Sequence, residues 1–142
     1  MRFWDSSAIV PLFVQEASSE SLDAAYRDDD VIVAWWGTKV ECASALIRLE
    51  RGGDLTTDDV QRGMAAIDDL ASEWIEVAPT TPARDIALRL VRVHDLRVGD
   101  AFQLAAAICT LQSIASPLPF VTLDDRLALA ASREGFPVLG LD

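Results

Sequence analysis

At 142 residues, with 51% hydrophobic and 25% charged side chains, the chain is long enough to bury a sizeable core and too apolar to be disordered. Its formal net charge of −11 argues against nucleic-acid binding through surface cations alone, an objection that bound divalent ions would relieve by inverting the local field. No apolar run approaches the ~18 residues of a membrane span, no basic segment leads into an apolar one at the N-terminus, and Cys42 and Cys109 lie outside any zinc-type spacing. A cytoplasmic protein without membrane contact, its two cysteines free and buried, is the expectation.

The first predicted element is a strand, Arg2–Trp4, followed by Asp5 and a short apolar helix that Ser6 or Ser7 would cap. Ligands of open α/β sheets bind at the carboxyl ends of strands, so Asp5 reads as a metal ligand or nucleophile, with helix capping an equal alternative. A second helix opens at Ser18-Ser19-Glu20 and ends in the acidic turn Asp28-Asp29-Asp30, read as a solvated loop. The strand Val31–Ala34 leads to Trp35 and Trp36, for each of which core packing is preferred over a partner contact. Thr38 is expected to cap a third helix running to about Arg51 before Gly52-Gly53 stops it. That helix is apolar around most of its circumference, and Glu41, Ser44 and Arg48 form one narrow polar stripe at i, i+3 and i+7, suited to a cleft as much as to bulk water.

A fourth helix, Thr56–Trp74, is capped by Thr56 or Thr57 and should fold back on the third. A strand at Ile75–Ala78 and a helix from Pro82 to His94 follow, the lone histidine reading as a contact with the helix C-terminal dipole. Leu96–Gly99 connects to Asp100–Ser113, the most apolar helix, where an N-cap alone would account for Asp100. Pro119–Thr122 is the fourth strand; Asp125 is expected to cap the next helix, leaving Asp124 free, and Pro137–Leu141 is the last strand. Strands alternating with helices indicate one parallel-sheet α/β domain over residues 1–142.

Four acids are thereby placed by local structure: Asp5 and Asp124 after strands, Glu41 on the buried stripe, Asp100 at a helix start. Carboxylates about 5 Å apart repel by roughly 3 kcal/mol at an effective dielectric near ~20, so a site collecting them calls for a cation. An all-oxygen donor set without His or Cys suits Mg²⁺ or Mn²⁺, ions that activate water against phosphodiesters.

At these residues the sequence resembles the PIN-domain family and, within it, the VapC-like toxins of type II toxin–antitoxin systems. The resemblance rests on D-S-S-A at Asp5–Ala8, V-E-C-A-S-A-L with Glu41, L-R-V-G-D-A-F-Q-L-A-A-A with Asp100 and V-T-L-D-D-R-L with Asp124, in that order and spacing across the whole chain. It implies a PIN-like domain with a central, mostly parallel sheet of about five short strands flanked by helices. The implied activity is a Mg²⁺- or Mn²⁺-dependent endoribonuclease with Asp5, Glu41, Asp100 and Asp124 as the catalytic, metal-binding quartet and Ser6 and Thr122 in support. Asp125, beside Asp124, leaves open which of the two faces the metal. A homodimer and a VapB-like antitoxin with a basic C-terminal tail are the implied partners besides RNA. Arg97, Arg126 and Lys39 flank the acids and meet either RNA phosphate or solvent. The alternative is a non-catalytic PIN-like RNA- or protein-binding module. A dehalogenase-like phosphatase would need aspartate where Ser7 stands, and a receiver domain a lysine after a late strand, whereas Lys39 is the only lysine.

Overall fold

The structure, a computed structural model, describes residues 1–140. Its elements alternate as expected: β1 (Arg2–Trp4), α1 (Ser6–Ile9) running into a 3₁₀ turn at Val10–Leu12, α2 (Ser19–Asp28), β2 (Ile32–Trp35), α3 (Thr38–Arg51), α4 (Thr57–Ala71), β3 (Ile75–Val77), α5 (Thr81–Val93), α6 (Val98–Leu111), β4 (Phe120–Val121), α7 (Asp125–Arg133) and β5 (Val138–Leu139). The strands form an all-parallel sheet in the order β3-β2-β1-β4-β5, with Phe3 facing Val33 on one side and Phe120 on the other.

Period-two alternation decides what each face of the sheet buries. Phe3, Val33, Trp35 and Phe120 share one core with Leu90 of α5 and Leu104 of α6, whereas Trp4, Ile32, Ala34 and Val121 share the other with Ile9, Leu46 and Ile67. Both faces are covered, as parallel sheets require. The expected α3–α4 hairpin is present and tight: a Cβ at Gly63 would stand 2.9 Å from Leu46 Cδ1. The Phe3 and Phe120 rings stack at 5.1 Å, fastening β1 to β4 through side chains as well as the ladder.

The order in which strands are added reverses at β1, because β2 and β3 lie to one side and β4 and β5 to the other. The crevice outside the carboxyl ends of β1 and β4 is therefore the topological switch point, where α/β sheets bind ligands. Asp5 follows β1 and Thr122–Asp124 follow β4. Gly140 closes the far side; its φ of +110° and the 2.6 Å from its would-be Cβ to the Thr122 carbonyl oxygen exclude a side chain there.

Several helix starts differ from the sequence reading. Gly37, not Thr38, occupies the α3 N-cap, because the Thr38 hydroxyl is drawn sideways to Gln103 of α6. Helix α6 begins at Val98 with Arg97 as N-cap, so Asp100 lies inside the first turn and is not the N-cap residue. Asp124 rather than Asp125 caps α7, its side chain accepting from the Leu127 N–H. Thr56 caps α4 in a reciprocal capping box with Asp59, and α4 ends at Ala71, short of Trp74. Trp35 is a core residue stacked on Phe102 at 5.2 Å, but Trp36 is 57% exposed, since the chain leaves the sheet between them. The last strand is two residues long, and its expected end at Leu141 lies outside the described residues. No helix among the described residues is long and apolar enough to cross a membrane.

Candidate metal centre

Asp5 holds an N-cap backbone conformation (φ −75°, ψ 152°) ahead of α1, yet makes no side-chain cap. Its carboxylate is instead turned into the crevice and 3% exposed, where Oδ2 accepts from Ser7 Oγ at 2.6 Å and from Thr122 Oγ1 at 2.9 Å. Those hydroxyls also accept backbone N–H bonds beyond β4, Ser7 Oγ from Leu123 and Thr122 Oγ1 from Asp124. The ends of β1 and β4 are thus sewn together through the aspartate. Thr122 donates to Asp5, while Ser6 reaches across to Glu41, 3.0 Å from its Oε2 and 3.4 Å from Asp5 Oδ1.

Glu41 is held at both oxygens. While Ser6 serves Oε2, the Gln103 amide Nε2 donates to Oε1 at 3.2 Å and to Thr38 Oγ1 at 2.9 Å. Gln103 and Thr38 are themselves fully buried, so this clamp joins α3 to α6, the helices that carry Glu41 and Asp100. Asp100 points to the crevice from the first turn of α6, with Arg97 Nε 3.8 Å from Oδ2. Asp124 divides its carboxylate: Oδ1 caps α7, and Oδ2 makes no hydrogen bond among the described residues.

All four acids line one cavity of about 570 Å³, together with Ser44 and Arg48 of the α3 stripe. The stripe faces a cleft. Burial pushes the Asp5 carboxyl up against the hydrogen bonds from Ser7 and Thr122, and the Asp124 charge adds to the rise. Glu41 is pushed up to about 7, chiefly by burial and further by the charges of Asp5 and Asp100. Asp100 rises through burial and the charges of Asp124 and Asp5. The charges of Asp5, Asp100 and Asp124 thus oppose ionisation of neighbouring acids, the condition a cation relieves.

Asp124 rather than Asp125 faces the main cavity; Asp125 lines the adjoining one. Lys39 points away, paired with Asp68 at 2.7 Å, and His94, at the C-cap of α5, lies 2.8 Å from Glu134 Oε1, outside the cavity. Both cysteines are free, with burial pushing the Cys42 thiol up to about 12. Gln103 carries no role in the sequence reading, Ser7 only that of a possible helix cap, and Arg48 only a place on the polar stripe of α3. For Gln103 a signal existed, because it is the one polar side chain between Ala101 and Ile108, and a buried amide needs partners.

Among the described residues no group of three or more His, Cys, Asp or Glu side chains is arranged to hold a metal ion. The donor chemistry nevertheless fits Mg²⁺ or Mn²⁺: hard, charged oxygens only, around a roomy cavity. Mg²⁺ commonly binds through one or two carboxylates and keeps several waters, so a closed protein cage is not required. Gln103→Leu, which removes both amide bonds at similar volume, is expected to weaken Mn²⁺ binding by about 10–100-fold in calorimetric titration and to cost about 1–3 kcal/mol of stability. Unchanged affinity would show that Glu41 is oriented without the clamp.

No family model and no curated protein matches the sequence. Among solved structures, the chain is similar to the Mycobacterium tuberculosis toxin VapC20, described as cleaving the sarcin–ricin loop, at TM-score 0.66 and 16% identity over 96% of each chain. FitAcB from Neisseria gonorrhoeae aligns at TM-score 0.66 and 16% identity, over 98% of this chain and 96% of that one. A toxin–antitoxin complex from Klebsiella pneumoniae gives TM-score 0.64 and 16% identity, again over 98% and 96%. At such identities the likeness is one of architecture: the chain, with its five-stranded parallel sheet flanked by helices, has a PIN-like α/β fold.

Proposed function

We propose that this chain is a Mg²⁺- or Mn²⁺-dependent endoribonuclease, the toxin of a type II toxin–antitoxin pair acting in the cytoplasm. The observation that carries the reading is the gathering of Asp5, Glu41, Asp100 and Asp124 around one cavity at the topological switch point. The similarity in fold to VapC20 and to toxins from toxin–antitoxin complexes supports it.

Asp5 and Asp100 would be the principal ligands, with Glu41 and the free oxygen of Asp124 completing the set. A bound divalent ion would supply positive charge to the scissile phosphate and make an attacking water more acidic. Ser7 and Thr122 hold Asp5 in place by donating to one of its oxygens, and Ser6 and Gln103 hold Glu41 at both of its own. A bound ion would also bring Glu41 down from the value of about 7 that burial and the neighbouring acids give it in the metal-free chain. The partner that fits the charge of −11 is an antitoxin whose basic C-terminal tail neutralises the acidic cavity; a homodimer is the assembly the family resemblance implies.

The purified protein should cleave single-stranded or looped RNA in Mg²⁺ or Mn²⁺ and be silent in EDTA. Equal cleavage with and without chelator would overturn metal dependence. RNA left intact under both conditions would favour the non-catalytic module.

A further inference from the structure

The acidic cavity does not end at the carboxylates. A second cavity of about 540 Å³ adjoins it, the two sharing Arg97 and Asp124, and its floor carries Arg126. At the other end stands Arg48, two turns of α3 beyond Glu41, or ~10 Å along the helix at 1.5 Å per residue. One continuous groove therefore passes Arg48, the four acids, Arg97 and Arg126.

What sets these three arginines apart is their place beside the acids, and carboxylates of the described residues hold them loosely or not at all. Arg89 is bound bidentately by Glu134 at 2.9 and 3.1 Å, and Arg2 and Arg62 are paired closely with Asp28 and Asp59. Arg97 and Arg126 instead lie 3.8 Å and 3.6 Å from their nearest carboxylates, with side chains 81% and 63% exposed. Arg48 has no ion pair among the described residues. Loose, exposed pairs contribute about 0–1 kcal/mol and exchange readily for a better anion, and the guanidinium fork is suited to phosphate.

We infer that Arg48, Arg97 and Arg126 hold the backbone phosphates of a single nucleic-acid strand on either side of the acidic cavity, Arg48 on one flank and Arg97 and Arg126 on the other. The inference deepens the nuclease reading and rests on it. A duplex would need a broad cationic face, and in a chain of net charge −11 the three arginines that line this groove provide for a single backbone. Phosphate contacts of this kind fix position without reading sequence.

The test is fluorescence anisotropy of a labelled single-stranded RNA in Mg²⁺ on the Asp5→Asn background, so that the strand stays intact, titrated with KCl. Three phosphate contacts give a slope of log affinity against log salt of about −2, at ~0.7 per phosphate for single strands. Arg48→Gln, Arg97→Gln and Arg126→Gln should each lower the slope by about 0.7 and weaken binding by ~10-fold. Arg84→Gln on α5, outside both cavities, should change neither. Slopes untouched by all three substitutions would overturn the inference, as would displacement of the RNA by a poly-glutamate peptide at equal concentration, which would assign the groove to an acidic protein segment. Because the readout is binding, it separates the two readings: an arginine-dependent slope in a chain that never cleaves RNA would keep the groove and remove the nuclease.

Discussion

RNA cleavage by Asp5→Asn or Asp100→Asn is expected to fall by at least ~10²-fold, since losing a mere outer-shell partner of a metal ligand already costs about 10–100-fold. The same changes should make the metal-free chain more stable. Burial and the charges of Asp124 and Asp5 oppose ionisation of Asp100, and the isosteric amide removes that strain, so Asp100→Asn should melt above the parent in EDTA. Mn²⁺ should reverse the ranking, because binding at a hundredfold excess over Kd adds about 2.7 kcal/mol to the parent and less to a chain lacking a ligand. The pH dependence has a definite sign. Asp5, Glu41 and Asp100 bind protons more readily folded than unfolded, so their contribution is fully present below the unfolded values of 3.8 and 4.5 and is lost as pH rises through the folded ones, for Glu41 about 7. Metal-free parent should therefore melt higher at pH ~5 than at ~8, and Asp100→Asn should show a smaller difference. A parent that melts alike in EDTA and Mn²⁺, with no gain on acidification, would remove the physical basis for a cation site. Asp100→Ala separates this from capping: since Arg97 occupies the N-cap, alanine should also melt higher in EDTA, whereas loss of a true cap would cost about 1 kcal/mol.

Phe120→Ala is expected to destabilise the fold by about 3–5 kcal/mol. The ring is fully buried, stacks on Phe3 at 5.1 Å and meets Phe136 edge-on at 5.9 Å. Alanine would lose these contacts and leave a cavity between β1 and β4. Since Thr122 follows two residues later and donates to Asp5, Mn²⁺ affinity should fall as well. Urea unfolding of Phe120→Ala beside Leu129→Ala, whose side chain is largely exposed and should shift stability by no more than about 0.5 kcal/mol, gives the comparison. A Phe120→Ala chain within 1 kcal/mol of the parent, to order of magnitude, would mean the sheet repacks around the gap.

The strands and the acids after them were legible because apolar runs bounded by Asp and Ser mark strand ends irrespective of what they pack against. The Glu41–Ser44–Arg48 stripe was legible for the same reason: a helix otherwise too apolar for solvent leaves only a cleft for its polar side. What local pattern does not carry is the choice an oxygen makes between near and distant donors. Thr38 looks like an N-cap in sequence and bonds Gln103 instead, and Asp124 looks spare yet caps α7. Both outcomes depend on a partner far along the chain or on where the strand stops. Arg48 was visible as part of the stripe, but its distance from a tight carboxylate partner is a property of the folded surface alone.

The central strand acquires its two neighbours at very different times. β2 begins at Ile32, whereas β4 is Phe120–Val121, so the second pairing of Arg2–Trp4 closes a loop of more than a hundred residues. Such non-local parallel pairings are the slow steps of folding, because chain entropy is lost before contacts compensate it. The Thr122 hydroxyl and Asp124 arrive with that last pairing. Nothing resembling the completed cavity can exist on a nascent chain that has not yet delivered β4, and a truncated product ending before Pro119 would keep Asp5, Glu41 and Asp100 without the strand that draws the first of them into place.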